Sequence, residues 1–201
     1  HDGVVDLEVR TRDVWTLKPA FNFGRKGGKN ESSFEFEESN LLGWGKHFEL
    51  SHSRDVDRDS NLVRYLDPHL LGTWNRLDAT YSSNSDGKLR KFLLDRPFYS
   101  LRAPWSAGID LTDWNRIDSR YDLGEVADKF RHEEQTMEMF GGWAVQLSDT
   151  WIRRLSAGIA YQRDHFAPVN DPLAAAVLPL DRKLVYPFME LQLLQDAYEE
   201  R

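Results

Sequence analysis

Five of the seven tryptophans in this 201-residue chain fall on a near-regular beat. Trp15, Trp44, Trp74 and Trp105 are spaced 29, 30 and 31 residues apart, and Trp151 follows after a longer gap. A unit of about 30 residues accommodates two membrane-crossing strands of roughly ten residues, one tight turn and one longer loop. Such a unit leaves and returns, so each tryptophan is delivered to the same side of a bilayer, where indole rings settle at headgroup level. The same beat is compatible with a soluble repeat protein or a β-sandwich whose tryptophans lie in its core.

Period-two alternation supplies the strands between these marks. Leu17–Phe23 carries its apolar residues at odd positions, and Ser33–Glu37 sets Phe34 and Phe36 against Glu35 and Glu37. Phe48 and Leu50 alternate with Glu49 and Ser51, while Leu77, Ala79 and Tyr81 alternate with Asp78 and Thr80. Further alternating runs cover Trp105–Thr112, Met137–Leu147, Leu155–Asp164 and Met189–Leu193. Weaker patterns at Asn61–Leu66 and Arg90–Phe98 complete the hairpins, which brings the expected count to ten antiparallel strands. Two facing sets follow. Phe34, Phe36, Leu77, Ile109, Met139, Val145, Ile159 and Leu191 share the apolar face, opposite Glu35, Asp78, Asp110, Glu138 and Arg154.

The connections fall into two kinds. One set is compact and rich in aromatic and Leu-Gly residues: Asn40–Gly45, Asp67–Trp74, Arg96–Leu101 and Gln146–Trp151. The alternate set is polar: Gly24–Asn30, Asp55–Asn61, Ser82–Lys88, Asp113–His132 and Asp164–Arg182. Short turns at one end and long polar loops at the other are the asymmetry of an outer-membrane barrel, whereas a sandwich has no reason to segregate its connections. The low mean hydropathy of -0.61 does not oppose this, because strands that alternate apolar-out and polar-in average to a soluble-looking composition. Helical spans are excluded, since the longest apolar stretch is Leu173–Leu180 with Pro179 inside it.

Chemistry is sparse. A net charge of -7 opposes a nucleic-acid surface, and the absence of cysteine removes disulfides, thiolate metal sites and cysteine nucleophiles. The aspartates of Asp55–Asn61 have calcium-loop alternation, but the sixth and twelfth places hold Ser60 and Leu66 in place of Gly and Glu. The six histidines are scattered, and His47 and His52 fall on opposite strand faces, so no set of three or four zinc ligands converges. No Gly-x-Ser-x-Gly elbow is present, and the carboxylates Glu35, Glu37, Glu49, Asp78 and Asp110, beside Arg76 and Arg154, read as a hydrated lumen. The sequence therefore predicts no catalytic, cofactor or metal residues.

Three turns carry a family resemblance. Glu38-Ser39-Asn40-Leu41-Leu42-Gly43-Trp44-Gly45, then Asp67-Pro68-His69-Leu70-Leu71-Gly72, then Arg96-Pro97-Phe98-Tyr99-Ser100-Leu101 resemble the barrel domain of the outer-membrane assembly-factor family, the BamA-like bacterial surface antigen proteins. Taken in order at hairpin spacing, the three motifs extend the resemblance over nearly the whole chain. Val4–Val9 resembles the last strand of a preceding POTRA domain. The resemblance implies that residues 1–15 end a periplasmic module and that residues 16–201 are the N-terminal ten strands of a 16-stranded transmembrane barrel.

It further implies a bacterial outer-membrane protein that is not an enzyme and acts in assembly, insertion or translocation of other proteins. Its partners would be outer-membrane lipid, unfolded outer-membrane clients and periplasmic accessory proteins. The strand carrying Pro19, Phe21 and Phe23 would form one side of a lateral seam, with Pro19 unable to donate a ladder hydrogen bond. Both ends of the chain look cut, so further strands are expected beyond Arg201. Two alternatives stay open: the same barrel as passive channel or anchor for a fused hydrolase domain, and a soluble β-sheet protein that binds a ligand.

Overall fold

The computed structural model describes residues 8, 15–26, 29–55 and 58–196. The Val4–Val9 segment, apart from Glu8, lies outside these residues. The protein is all-β, and nearly all of its regular structure is one ten-stranded antiparallel sheet in sequence order. The first six strands are short: β1 (Leu17–Lys26), β2 (Lys29–Glu38), β3 (His47–Arg54), β4 (Asp59–Asp67), β5 (Arg76–Asn84) and β6 (Gly87–Arg96). The last four are long: β7 (Trp105–Asp122), β8 (Glu125–Gln146), β9 (Trp151–Pro168) and β10 (Arg182–Gln195). Two short 3-10 turns, Leu41–Gly43 and Leu70–Gly72, join β2 to β3 and β4 to β5. No described helix is long and apolar enough to cross a membrane.

The ten strands expected from alternation are all present, but all five polar connections are shorter than the sequence suggests, the first because β1 runs to Lys26 and β2 starts at Lys29. Ser82–Lys88 contracts to a tight turn at Ser85 and Asp86. Asp113–His132 is not a loop: β7 runs on to Asp122, turns at Leu123 and Gly124, and returns as β8. β4 begins at Asp59, and β9 extends to Pro168, leaving 169–181 as the longest described connection. These extensions are hard to read because neither face is consistently apolar: Arg116, Asp118 and Arg120 line one, and on the other Ile117 and Tyr121 are interleaved with Asn115 and Ser119. Where polar and apolar residues mix on one face and charges fill the other, the period-two hydropathy signal fades although the backbone stays extended.

Register places the two facing sets as expected. Leu77, Leu94, Ile109, Met139 and Ile159 are successive cross-strand partners, and so are Asp78, Leu93, Asp110 and Glu138 one position away. Burial is inverted relative to a soluble core. On the apolar face Ile159 is 61% exposed and Met189 73%, whereas Asp95 and Ser106 on the polar face are each 5% exposed. The polar side is thus the enclosed one.

The sheet is open, with β1 and β10 at its edges. Each edge carries a proline. The Ser39 N–H donates to the Thr16 carbonyl, which sets the phase of the β1–β2 ladder and turns Pro19 toward the unpaired edge. The Asp196 N–H to Thr150 carbonyl bond does the same for β9–β10, and Pro187 also faces outward along the sheet. Each proline therefore removes one donor from a free edge without costing a bond inside the sheet.

Candidate functional site: an exposed apolar face with an aromatic rim

The apolar face has a defined height. On β10 the outward residues Val185, Pro187, Met189, Leu191 and Leu193 end at Lys183, and on β9 the row from Leu155 to Tyr161 ends at Arg163. Eight residue steps at about 3.4 Å cover about 27 Å along the strand, or about 21 Å after a tilt of about 40°. That is close to the apolar band of about 25 Å on outer-membrane barrels. Beyond it the cross-strand row Arg90, Asp113, Gln135, Arg163 and Lys183 is polar on every strand it crosses.

All five beat tryptophans lie at one end of the sheet. Trp15 precedes β1, Trp44 and Trp74 sit in the β2–β3 and β4–β5 turns, and Trp105 and Trp151 open β7 and β9. Trp143, which the beat missed, is the direct cross-strand partner of Trp105. The rings are exposed, from Trp105 at 40% to Trp15 at 81%. The seventh tryptophan, Trp114, is on the polar face toward the other end, with the Arg116 guanidinium 3.8 Å from its ring centre.

The two Leu-Leu-Gly turns share one backbone. Leu42 and Leu71 both have φ of 54°, followed by Gly43 at 77° and Gly72 at 73°. Leu41 N–H reaches the Lys46 carbonyl at 2.7 Å, and Leu70 N–H reaches that of Asn75 at 2.8 Å. Side chains lock each turn. Asn40 Oδ1 accepts from the Gly45 N–H at 2.6 Å, while the buried Asp67 accepts from the His69 N–H and pairs with Lys46 at 3.1 Å. That hydrogen bond to Asp67 holds the Lys46 ammonium above its ordinary pKa range. Pro68 follows Asp67 directly, at the first turn position after β4, where no ladder donor is needed. The turns repeat at 29 residues while their tryptophans repeat at 30, because Trp44 follows Gly43 directly and Trp74 follows Gly72 by two. A rim requires a common level, not a common turn position.

The Arg96-Pro97-Phe98 segment is held from both faces. Outward, the Arg96 guanidinium lies 3.9 Å from the Trp105 ring centre, and Tyr99 stacks on Trp74 at 4.3 Å. Inward, Arg154 lies 4.5 Å from the Phe98 ring and donates to the Ser100 carbonyl at 2.8 Å. At the sheet's first edge, Phe21 and Phe34 pack with ring centres 5.0 Å apart, and Phe23 is exposed.

The polar face is a lattice of ions. Arg64 grips Asp78 and Arg76 grips Asp95 through two bonds each, at 2.6–3.0 Å. Like charges also face each other directly: Asp110 opposite Glu138, and Glu37 opposite Glu49. Such pairs are destabilising unless water or a cation intervenes; at Glu37 Lys18 supplies one, at 3.1 Å. Toward the far end, His132 bridges Asp118 and Asp164, at 2.9 and 3.1 Å. His132, Glu134 and Asp164 bring their ligand atoms within 4.8 Å of one another. Arg116 already donates to Glu134 and Arg182 to Asp164, so the cluster works as an ionic brace across β7–β10. No sequence signal marked it, since its members come from four separated strands.

No protein-family model matches the sequence, and no curated protein matches it.

Proposed function

We propose that this chain is a section of the wall of a transmembrane β-barrel of the bacterial outer membrane. The observation that carries this reading is the inverted burial: an exposed apolar face of membrane height, rimmed by tryptophans at one end and backed by an enclosed lattice of ions. In water an exposed apolar area of this extent is a liability; in lipid it is the required surface. An open ten-stranded sheet leaves unpaired edge groups, which hydrocarbon does not tolerate, so further strands complete the barrel; the family resemblance implies 16 in total. Within that frame the rim of Trp15, Trp44, Trp74, Trp105 and Trp151 sits at the periplasmic interface, and the elongated β7–β8 hairpin projects on the far side.

The resemblance at the three turns favours assembly or translocation of outer-membrane proteins over a passive channel or an anchor for a fused domain. The β1 edge, with Pro19 turned outward and Phe21 and Phe23 exposed, suits a weak seam at which a client strand adds by main-chain pairing. The test uses the full-length protein, with single cysteines on β1 and on the barrel's final strand, oxidised to lock the seam. Assembly of client proteins stops on locking and resumes on reduction. Undiminished assembly with a fully formed crosslink rejects the seam and favours the anchor or channel.

A further inference from the structure

The outward cations of the sheet are not equivalent. Arg90 pairs with Asp113 at 3.0 Å, and on the inner face Arg64 and Arg76 each hold an aspartate. Arg96 is different. It ends β6 on the outward apolar face, at the level of the aromatic rim; like Arg153 it has no carboxylate partner among the described residues, but it alone of the two is set on aromatic rings. One face of its guanidinium is covered by Trp105, Nη2 donates to the Tyr99 hydroxyl at 3.2 Å, and the covered Nε has no partner at all. Ring stacking orients a guanidinium; with Nε covered and one Nη2 N–H on Tyr99, the Nη1 end and the second Nη2 N–H remain for a planar or tetrahedral oxyanion. A guanidinium fixed by a ring at an apolar surface, with no carboxylate beside it, is free to take such a counter-ion.

The row that starts at Arg96 continues through unusually small residues. Its successive cross-strand partners are Ala107, Gly141 and Ala157. Flanked by Met137, Met139, Ile159 and Tyr161, they form an open apolar depression of about 660 Å³ on the outer wall. A Cβ built on Gly141 would meet nothing closer than 4.0 Å, so the glycine leaves space that no neighbouring side chain fills.

We infer that Arg96, with Trp105 and Tyr99, binds the phosphate of one phospholipid whose acyl chain lies in the Ala107–Gly141–Ala157 depression. This rests on the membrane reading above. Cation and groove adjoin, and their chemistries match the two halves of one amphiphile. Phosphate on arginine gains from charge-assisted, paired N–H donation, and the chain removes apolar surface from contact with bulkier neighbours.

The test titrates phosphatidylglycerol into the full-length protein in neutral maltoside micelles and counts retained lipid by native mass spectrometry. The wild type retains one phosphatidylglycerol above the background of annular adducts. Arg96→Gln weakens this retention about tenfold, as expected for loss of one charge-assisted contact, and Arg96→Lys restores part of it. Gly141→Leu fills the groove and also weakens it. Arg153→Gln removes an outward cation that has no aromatic platform and leaves retention unchanged. Dioleoylglycerol, which lacks phosphate, is not selected. Inorganic phosphate does not compete at millimolar concentration; full competition would reassign the site to a free anion and overturn the lipid. Equal retention by wild type and Arg96→Gln, or equal loss in Arg153→Gln, also overturns the proposal while annular lipid keeps the membrane reading intact. A wild type that takes up neither lipid nor detergent overturns both.

Discussion

Phe188 on β10 lies directly across from Gly158 on β9, its ring occupying the space a Cβ would need: Cζ is 2.5 Å from that position. The same arrangement recurs two strands away, where the Phe140 ring covers Gly108 with its Cζ 2.7 Å from the corresponding point. Phe140 and Gly158 are themselves partners, so Gly108, Phe140, Gly158 and Phe188 alternate along one row of the polar face. Rings laid over glycines let bulky residues lie flat against the sheet without projecting from its polar face.

Substituting Gly158 therefore has a large effect despite its position away from any charged group. Gly158→Val forces Phe188 off its site and also meets the Met139 carbonyl, at a cost of about 1–3 kcal/mol from overpacking. Gly141→Ala, on the opposite face with open space around it, is neutral in packing. Urea titration of the two variants folded in lipid vesicles checks the difference, and equal midpoints would contradict the ring-over-glycine account.

Adjacent residues on β8 separate the two faces with a single chemistry. Met139→Arg places a cation at mid-height on the apolar wall and costs about 2–4 kcal/mol of folding free energy in lipid. Glu138→Arg puts the same side chain on the polar face directly opposite Asp110, where it replaces a like-charge pair with an opposite-charge one and is tolerated. The measurement is folding yield into phosphatidylcholine vesicles. Equal tolerance of both would mean that the apolar face does not meet lipid.

The legibility of the fold follows that same division of faces. Within the apolar band eight of the ten strands announce themselves, because apolar and polar residues alternate with the backbone. Asn61–Leu66 and Arg90–Phe98 are weak because Leu62, Leu66 and Leu93 put leucine on the polar face as well. Past the band the signal stops at Asp113, although the strands run on to Asp122 and return from Glu125. The site was legible where it is made of tryptophan and turn residues. Arg96 was found as part of a turn motif, but its stacking on Trp105 and its lack of a carboxylate partner depend on cross-strand placement. The same is true of the brace at His132. Sequence distance hides contacts that only register creates.

The 169–181 connection is strapped onto β8 by groups that titrate in acid. Lys129 N–H donates to the Leu173 carbonyl at 2.7 Å, Ala175 N–H donates to the Lys129 carbonyl, and Asp171 pairs with Lys129 Nζ at 3.2 Å. Asp171 is held below the usual carboxylate range by the Leu173 N–H and Lys129, and Asp181 by His165 and the Phe166 N–H. A depressed carboxylate stabilises fully above its unfolded pKa of about 3.9 and loses that contribution as pH falls through the lower folded value. Amide exchange at Leu173 and Ala175, corrected for intrinsic rates, should therefore stay constant from pH 7 to pH 5 and accelerate below about pH 4. Asp171→Asn should raise exchange at neutral pH and flatten the profile.

The paired turns offer the last test, because each holds a leucine where glycine is favoured. Leu42 and Leu71, both with φ of 54°, are 74% and 91% exposed, so no buried contact offsets the left-handed backbone. For a residue with a Cβ that conformation costs about 1–2 kcal/mol. Leu71→Gly removes the strain but frees the unfolded chain, a loss of about 0.5–1 kcal/mol, so its net gain is small. Leu71→Asn keeps a side chain that tolerates this region and should be the more stabilising of the two. If the rim turns serve only to reverse the chain, both variants retain full activity along with their added stability. If the exposed leucines meet a lipid surface or a partner, Leu42→Asn with Leu71→Asn lowers activity while raising the unfolding midpoint. A double variant that is both less stable and fully active would show that strain is not what these positions carry.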